Sequence, residues 1–435
     1  MRILGIETSC DETAVAILEG EDFDGAMGSD GRLKLLSNVV VSQIDIFKAY
    51  GGVIPEVAAR SHLEVMMPVL HQAFKEAGLT KANEKANQGE VDDGVFDDSS
   101  DGGFEDDWDK IDAIAVTHTP GLLGSLLVGT LTARTLAILH KKPLYAVHHL
   151  KSHIYANWLP GTGDAAEGEK PEFPLLALVI SGGHTQIIYM REHNHFEIVG
   201  TTHDDAVGEC FDKVAKILGL PYPGGPAIAR AARGDLSGWT GAKARDMGKQ
   251  ENGGKVGGGV VGDRMKYRFQ HPQLAEPLDF SFSGLKTAVL RLVQKVCGVP
   301  ISYPSAGLKD LLDGQQVCDL AASFEQTAVE ILLEKMEKAL EIYPDVKNIV
   351  FAGGVSANGL LRDEAVRKFG GATGASERVA GEVKKFSGVK CYFPEPKFSG
   401  DNGAMVAVAA YHEILSGVVE TDPYKLNIMP RSEIG

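Results

Sequence analysis

The chain has 435 residues, of which 44% are hydrophobic and 23% are charged, as in a globular protein with room for two or three cores. It contains no run of eighteen apolar residues and no basic leader, so we expect no membrane span, no secretory or transit signal, and a cytoplasmic location. The net charge of −16 argues against a general nucleic-acid binder, but residues 84–109 alone contribute −10 of it, which weakens that argument. The 5 scattered cysteines indicate reduced thiols.

Hydrophobic periodicity predicts alternating strands and helices in both halves of the chain. The predicted strands of the first half are 3–9, 14–18, 35–41, 111–116 and 143–147, and its helices are 55–78, 122–139 and 149–158. The predicted strands of the second half are 175–181, 185–190, 196–200, 348–352 and 389–393, and its helices are 206–218, 308–342, one from residue 356, and 401–415. The shared order predicts an α/β fold with two similar lobes, 1–160 and 171–435, that face each other across a cleft.

Three segments are predicted to be insertions or linkers. Residues 81–110 are acidic and rich in glycine, so we expect a disordered or mobile loop. Residues 161–172 form a shorter polar linker. Residues 233–268 are rich in glycine and carry 8 Lys/Arg against 4 Asp/Glu. The G-x-G-x-x-G match at 257–262 follows no apolar strand, so it indicates a flexible loop and not a dinucleotide site.

Two histidines are spaced to share one helix face. His149 and His153 are four residues apart, and neutral imidazoles bind zinc or ferrous iron. Asp401, at the start of a predicted helix, is a candidate third ligand. Histidines that simply pack or lie at the surface are the alternative interpretation. Leu150 stands where the H-E-x-x-H motif of zinc peptidases has its glutamate.

Glycine-rich turns and carboxylates form the other candidate sites. The turn at 181–185 and the turn at 353–354 allow close approach of backbone amides to a phosphate, and Asn358 could bond a base or ribose. Asp212 could bind a ribose hydroxyl from a helix. Asp11 and Glu12 lie in the first hairpin turn and could serve acid–base chemistry. Ordinary hairpin turns, helix caps and solvated side chains explain the same residues without a ligand.

Taken together, these segments resemble the TsaD family, the enzymes of tRNA threonylcarbamoyladenosine biosynthesis that were once called O-sialoglycoprotein endopeptidases. The resemblance is to bacterial-type members and covers nearly the whole chain outside the insertions. It is carried by ten motifs in order: Ile6–Thr13, Gly51–Glu56, Pro120–Gly124, His148–His153, Ser181–Thr185, Phe211–Lys213, Tyr222–Pro226, Asp279–Thr287, Ala352–Asn358 and Asp401–Met405. Lys151, Thr119 and Gly400 depart from the residues usual in the family.

The resemblance implies two actin/hexokinase-like (ASKHA) lobes with a nucleotide in the cleft between them. It implies that His149, His153 and Asp401 hold one divalent metal, Fe²⁺ in preference to Zn²⁺, and that no organic cofactor is needed. The residues implied to contact the nucleotide are Val179, Ile180, Ser181, Gly182, Gly183, Asp212, Gly225 and Asn358.

The implied reaction transfers threonylcarbamoyl from threonylcarbamoyl-adenylate to N6 of the adenosine next to the anticodon, in tRNAs that read codons starting with A. AMP is released, and Asp11 or Glu12 is the candidate for positioning or proton transfer. The implied protein partners are a paralogous actin-like subunit and a small ATPase. A metallopeptidase and a non-catalytic ATP-binding scaffold are the alternatives; the missing glutamate argues against the first, and the complete metal triad against the second.

Overall fold

The structure is a computed structural model that describes residues 1–20, 32–82, 104–160, 169–243, 261–370, 386 and 388–434. Its strands are β1 (Arg2–Glu7), β2 (Glu12–Gly20), β3 (Leu33–Ser42), β4 (Thr80–Ala82), β5 (Phe104–Asp106), β6 (Ala113–Thr119), β7 (Leu144–His148), β8 (Leu175–Ile180), β9 (Thr185–Met190), β10 (Phe196–Thr201), β11 (Asn348–Ala352) and β12 (Lys390–Tyr392). Its helices are α1 (Ile44–Lys48), α2 (Pro55–Glu76), α3 (Leu123–His140), α4 (His149–Tyr155), α5 (Val207–Leu218), α6 (Gly224–Ala232), α7 (Ser283–Val296), α8 (Gly314–Ile342), α9 (Gly359–Phe369), α10 (Pro396–Ser399) and α11 (Gly403–Leu415).

The chain divides into two compact units. Unit 1 comprises Met1–Gln43, Pro55–Pro160 and Asp401–Glu433; unit 2 comprises Ile44–Ile54, Gly161–Gly400 and Ile434–Gly435. The sheet of unit 1 has the order β3-β2-β1-β6-β7 and that of unit 2 the order β10-β9-β8-β11-β12. In each sheet three antiparallel strands precede two parallel ones, so the α/β class and the two similar lobes are confirmed. The predicted cleft stays a prediction.

The last helix belongs to unit 1, whereas the predicted second lobe, 171–435, contained it. Helix α11 packs on β1 and β2 where two glycines allow the backbones to touch. A Cβ on Gly5 would lie 2.4 Å from the carbonyl oxygen of Gly403, and one on Gly403 would lie 2.5 Å from the amide nitrogen of Ala16. Any larger side chain at these positions would force the helix off the sheet. The motif that starts at Asp401 is thereby held beside the first strand.

Parts of the two predicted insertions are ordered. In the acidic segment 81–110, β5 pairs with β4, and Trp108–Lys110 form a 3-10 turn. In the segment 233–268, Leu236 and Trp239 are buried in the core of unit 2. Residues 83–103, 161–168 and 244–260 lie outside the described residues. Helices α1, α6 and α7 were not predicted, and the predicted helix 308–342 begins only at Gly314, after an Asp313 capping box.

Helix α3 is the one helix among the described residues that is long and apolar enough to cross a membrane, with a mean hydropathy of 1.3. Of this stretch 44% is buried, because one side of α3 packs on β6 and α2. No membrane span is expected from the sequence, because α3 is interrupted by polar residues. The core helix of a globular protein can have the same length and the same apolar composition.

Glu413, a buried carboxyl group on α11, is expected to make unit 1 sensitive to pH. Burial raises its pKa from 4.5 to about 7, and the charge of Lys151 opposes that rise. The folded unit therefore holds a proton that the unfolded chain has released, and the free energy of unfolding falls as pH rises from about 4.5 to about 7. The total loss is on the order of 3 kcal/mol.

Replacing Glu413 by Gln should remove the part of the pH dependence that this group contributes, which denaturant unfolding of the protein at pH 5 and pH 8 measures. The denaturation midpoint of the wild type should decrease more from pH 5 to pH 8 than the midpoint of Glu413→Gln. The matched control is Glu420→Gln in the same unit, on a side chain that is exposed. Equal slopes for wild type and Glu413→Gln would contradict the assignment.

Candidate functional site

The chemistry-bearing residues of unit 1 meet where parallel strands end. Ile6 pairs with Val116 and Thr117 pairs with Val147, so β1, β6 and β7 end side by side. Glu7 is the last residue of β1, and His149 follows directly after β7 as the first residue of α4. In open α/β sheets ligands bind beyond the carboxyl ends of the strands. The topology therefore places Glu7 and His149 at the edge where a site is expected.

His149, His153 and Asp401 form a cluster whose ligand atoms all lie within 4.8 Å of one another. Oδ1 of Asp401 is 3.6 Å from Nε2 of His149 and 3.1 Å from Nε2 of His153. Ligands that share a metal with bonds of about 2.1 Å are separated by about 3.3 Å, so both distances suit a common ion. The structure thus brings together the three predicted ligands, and the cluster could hold a metal ion.

The surroundings of His153 also indicate whether the cluster fits a metal ion. Its side chain is 1% exposed, yet within the described part of the chain neither ring nitrogen has a hydrogen bond, only the ion-pair contact with Asp401. A buried imidazole without hydrogen bonds is costly unless a ligand satisfies it. Two imidazoles and one carboxylate are the donor set of non-haem iron sites and of open zinc sites. The donors therefore fit a divalent transition metal.

The environment of His149 is strongly negative. Burial alone would lower its pKa, but the carboxylates of Asp401 and Glu7 outweigh burial and raise the pKa to about 9. Nδ1 lies 3.1 Å from Oε2 of Glu7 and 3.2 Å from the hydroxyl of Ser9. The ring is thus held from the side opposite Asp401. A site that favours a proton this strongly also favours a metal cation in its place.

Asp11 lies in the turn between β1 and β2 and Glu12 is the first residue of β2, and both are near Asp401. Burial raises the pKa of Glu12 well above its ordinary value, and the charges of Asp401 and Asp11 add to the effect. Burial and Asp401 also raise the pKa of Asp11, while a hydrogen bond with Glu12 opposes the rise. Because like charges crowd this turn, one of the two carboxyl groups is favoured in its protonated form. Such a pair can give or accept a proton.

His62, on α2, anchors the same turn. Its Nε2 donates to the carbonyl oxygen of Cys10 at 3.1 Å, and its Nδ1 accepts from the hydroxyl of Thr13 at 2.7 Å and from the amide of Gln43 at 3.2 Å. The carbonyl can only accept, so these bonds fix the tautomer with the proton on Nε2. Burial lowers the pKa of His62, which keeps it neutral in this role.

The predicted nucleotide residues lie in unit 2, some of them where β8 and β11 end, whereas Asp212 and Gly225 lie in α5 and α6. Val179 pairs with Ala352, and a Cβ on Gly353 would lie 2.5 Å from the carbonyl oxygen of Ile180, so the two glycine turns are in contact. The side chains of Val179 and Ile180 are fully buried, which leaves only their backbone for a ligand. The hydroxyl of Ser181 accepts from the amides of Gly183 and His184, so a phosphate would have to compete with it for these amides.

The glycines in the two glycine turns and at the starts of α5 and α6 are of two kinds. A Cβ at Gly208, Gly224 or Gly353 would lie 2.5 Å from backbone atoms, so these three positions serve packing. A Cβ at Gly182, Gly183 or Gly225 would meet nothing within 4 Å. Packing within the described chain does not require glycine at these open positions. An approaching ligand would require it.

Asp212 and Asn358 are both held by hydrogen bonds in unit 2. Oδ1 of Asp212 accepts from the amide of Gly224 at 2.6 Å, which fixes the turn that carries Gly225. Asn358 caps α9 through its Oδ1, 3.0 Å from the amide of Leu361. Its Nδ2 donates at 2.8 Å to Glu325, a carboxylate with no exposed surface. Both ends of the Asn358 amide are therefore oriented by the fold.

Glu7, His62 and Glu325 are the residues around these sites that sequence reasoning did not assign. Each is polar and fully buried, and each contacts a predicted site residue or the turn that carries one. An isolated glutamate in a strand or helix looks like a solvated residue in a sequence. The one available signal was position, because Glu7 ends an apolar strand and Glu325 interrupts an apolar helix face.

Comparison with known proteins finds a family model and relatives that match most of the chain. The family model TsaD, tRNA N6-adenosine threonylcarbamoyltransferase, matches residues 34–86 and 105–408. A tRNA N6-adenosine threonylcarbamoyltransferase of Symbiobacterium thermophilum is 39% identical over 100% of this chain and 97% of its own length, and one of Thermomicrobium roseum is 38% identical over 96% and 93%. Among solved structures, a ROK hexokinase from Thermus thermophilus is 14% identical and covers 95% of this chain and 100% of its own, with a TM-score of 0.38.

Proposed function

The chain belongs to the TsaD family of tRNA N6-adenosine threonylcarbamoyltransferases, and on that premise we propose that it transfers threonylcarbamoyl from threonylcarbamoyl-adenylate to N6 of the adenosine next to the anticodon. The tRNAs served are those that read codons starting with A, and the enzyme acts in the cytoplasm. The observation that carries the proposal is the cluster of buried His149 and His153 with half-buried Asp401, the three residues that the family resemblance implies as metal ligands.

We propose that the two units have different tasks in this reaction. Unit 2 holds the nucleotide: its backbone amides around Gly183 and Gly225 approach the phosphate, and Asp212 and Asn358 bond the nucleoside. Unit 1 carries the metal ligands and the carboxyl pair. A divalent ion bound there, Fe²⁺ in preference to Zn²⁺, supplies Lewis-acid stabilisation of charge on the carbamoyl or phosphate oxygens.

The chemical step exchanges one bond for another. The amine nitrogen of adenine forms a bond to the carbamoyl carbon, the bond from that carbon to the phosphate oxygen breaks, and AMP leaves with the electron pair. The amine must lose one proton. Asp11 or Glu12 is the candidate acceptor of this proton, because the two carboxyl groups share a hydrogen bond and lie near Asp401. No organic cofactor is required for this balance.

Incubation with threonylcarbamoyl-adenylate and unmodified tRNA tests the function. Mass spectrometry of the nucleosides should show threonylcarbamoyladenosine, and AMP should appear in equal amount. Partner proteins of the pathway are added in a second reaction, because this chain could need them for turnover. Absence of the modified nucleoside in both reactions, with a related family member active in parallel, would overturn the proposal.

We propose that the paralogous actin-like subunit binds the paired helices α2 and α3, and that the small ATPase joins that complex. Apolar side chains repeat at intervals of four on the outer faces of these helices, at 43–67% exposure: Leu63, Met67, Leu123, Leu127 and Leu131. The helices lie close together, since a Cβ on Gly124 would be 2.9 Å from that of Ala59. Contiguous exposed apolar surface of this kind is typical of an interface.

The double change Leu63→Glu and Leu127→Glu should abolish this complex. Two charges at the centre of an apolar interface cost on the order of 2 kcal/mol each, so Kd should rise more than about 100-fold. Size-exclusion chromatography with the purified paralogue measures it. The matched control is Ile342→Glu, an exposed apolar residue of unit 2. If the double variant still binds the paralogue, or if the wild type forms only homodimers through this face, the assignment is wrong.

A further inference from the structure

Glu7 is a carboxylate in the interior of unit 1, and it has no exposed surface. A buried charge is costly unless hydrogen bonds satisfy it. Glu7 has three such bonds. Its Oε1 accepts from the backbone amide of Ser9, and its Oε2 accepts from the hydroxyl of Thr117 at 2.6 Å and contacts Nδ1 of His149 at 3.1 Å. Glu7 is thus a buried carboxylate whose two oxygens are hydrogen-bonded and which contacts a candidate metal ligand.

The strand register makes this contact a fixed feature of the sheet. Glu7 follows Ile6, which pairs with Val116, so Glu7 lies beside Thr117 at the end of β6. His149 begins α4 immediately after β7, the next strand of the same sheet. All three residues are buried, and two of them are held by strand hydrogen bonds. The carboxylate and the imidazole therefore cannot separate without distorting the sheet.

We infer that Glu7 is a positioning residue which holds the proton of neutral His149 on Nδ1, so that the lone pair of Nε2 points toward His153 and Asp401. A carboxylate can only accept hydrogen bonds, so the nitrogen that faces it must carry the proton. Metal-ligating histidines commonly donate their second N–H to a carboxylate, which fixes both tautomer and ring orientation. The hydroxyl of Ser9, 3.2 Å from the same nitrogen, can donate or accept and so selects neither tautomer.

The inference rests on the proposed metal site. It predicts a specific effect of Glu7→Gln on the tautomer of His149. The backbone amide of Ser9 can only donate, so it keeps the remaining oxygen of the glutamine on its side. The new NH₂ group then replaces Oε2 and faces Nδ1 of His149. That nitrogen must become an acceptor, which moves the ring proton to Nε2 and blocks the metal. Replacing one side-chain oxygen of Glu7 by an NH₂ group is thus expected to move the ring proton of His149 from Nδ1 to Nε2.

Zinc affinity, measured by competition with a chromogenic chelator, tests the inference without reference to activity. Glu7→Gln should bind Zn²⁺ about 10- to 100-fold more weakly than wild type, as loss of an outer-shell partner does elsewhere. Ser9→Ala, which keeps its backbone amide, should stay within about threefold of the wild type, since the carboxylate alone selects the tautomer. Glu325→Gln, the same isosteric change at a buried glutamate of unit 2, controls for folding.

The outcomes separate the inference from the metal assignment. Loss of zinc by His149→Ala together with wild-type affinity in Glu7→Gln overturns the inference and leaves the metal site in place. Retention of zinc by His149→Ala overturns the metal site and the inference with it. If Glu7→Gln does not fold, ¹⁵N-histidine spectra of the zinc-loaded wild type decide. A proton on Nδ1 of His149 supports the inference, and a proton on Nε2 refutes it.

Discussion

Replacing Asp401 by alanine is expected to empty the metal site and to reduce threonylcarbamoyl transfer by about 10³-fold, because a Lewis acid contributes several kcal/mol to such a transition state. Asp401 is the one anionic ligand of the cluster and contacts both imidazoles. Without it, two neutral imidazoles remain, and they are too few ligands to retain a divalent ion. His149→Ala should behave in the same way.

Elemental analysis of the purified protein measures the metal content directly. The wild type should carry about one zinc or iron per chain, and both variants close to none. Asp422→Ala serves as the control, since Asp422 is an acidic residue of the same unit that pairs with Lys425 and accepts a hydrogen bond from the backbone amide of Tyr424. Full metal content in both ligand variants would refute the site.

Replacing Gly225 by valine is expected to abolish nucleotide binding while leaving unit 2 folded. A side chain at this position meets no atom within 4 Å, so the fold tolerates it. The same side chain would occupy the space through which a phosphate reaches the backbone of the turn. AMP or ATP at a hundredfold excess over Kd should stabilise the wild type by about 2.7 kcal/mol, and Gly225→Val should lose this stabilisation. Gly183→Val is expected to do the same.

Thermal unfolding with and without nucleotide measures the effect. Gly284→Val is the matched control, because Gly284 is likewise the second residue of a helix with open space around it, but it is not among the predicted nucleotide residues. A loss of stability in Gly225→Val without nucleotide would indicate a packing role. A shift equal to that of the wild type would show that the turn does not contact the ligand.

Much of the site was predictable because its signals are local in the chain. His149 and His153 share a helix face by spacing alone, and the alternation of apolar residues located both hairpins and both glycine turns. Helix α6 was not predicted because it begins with Gly-Gly-Pro, which is typical of a turn. Helix α7 was not predicted because it carries charged residues between its few buried residues.

The sequence by itself determined the order of the ten strands in the two large sheets, the α/β class, the family and the candidate metal ligands, because hydrophobic periodicity and motif spacing are properties of neighbouring residues. Only the tertiary structure decided which distant residues meet. It brought Asp401 into unit 1 through the contact of Gly5 with Gly403, and it set Glu7 against His149 through strand register. It also separated the glycines that serve packing from those open to a ligand. These facts depend on how backbones pack across the sheet, and no local pattern in the chain encodes that packing.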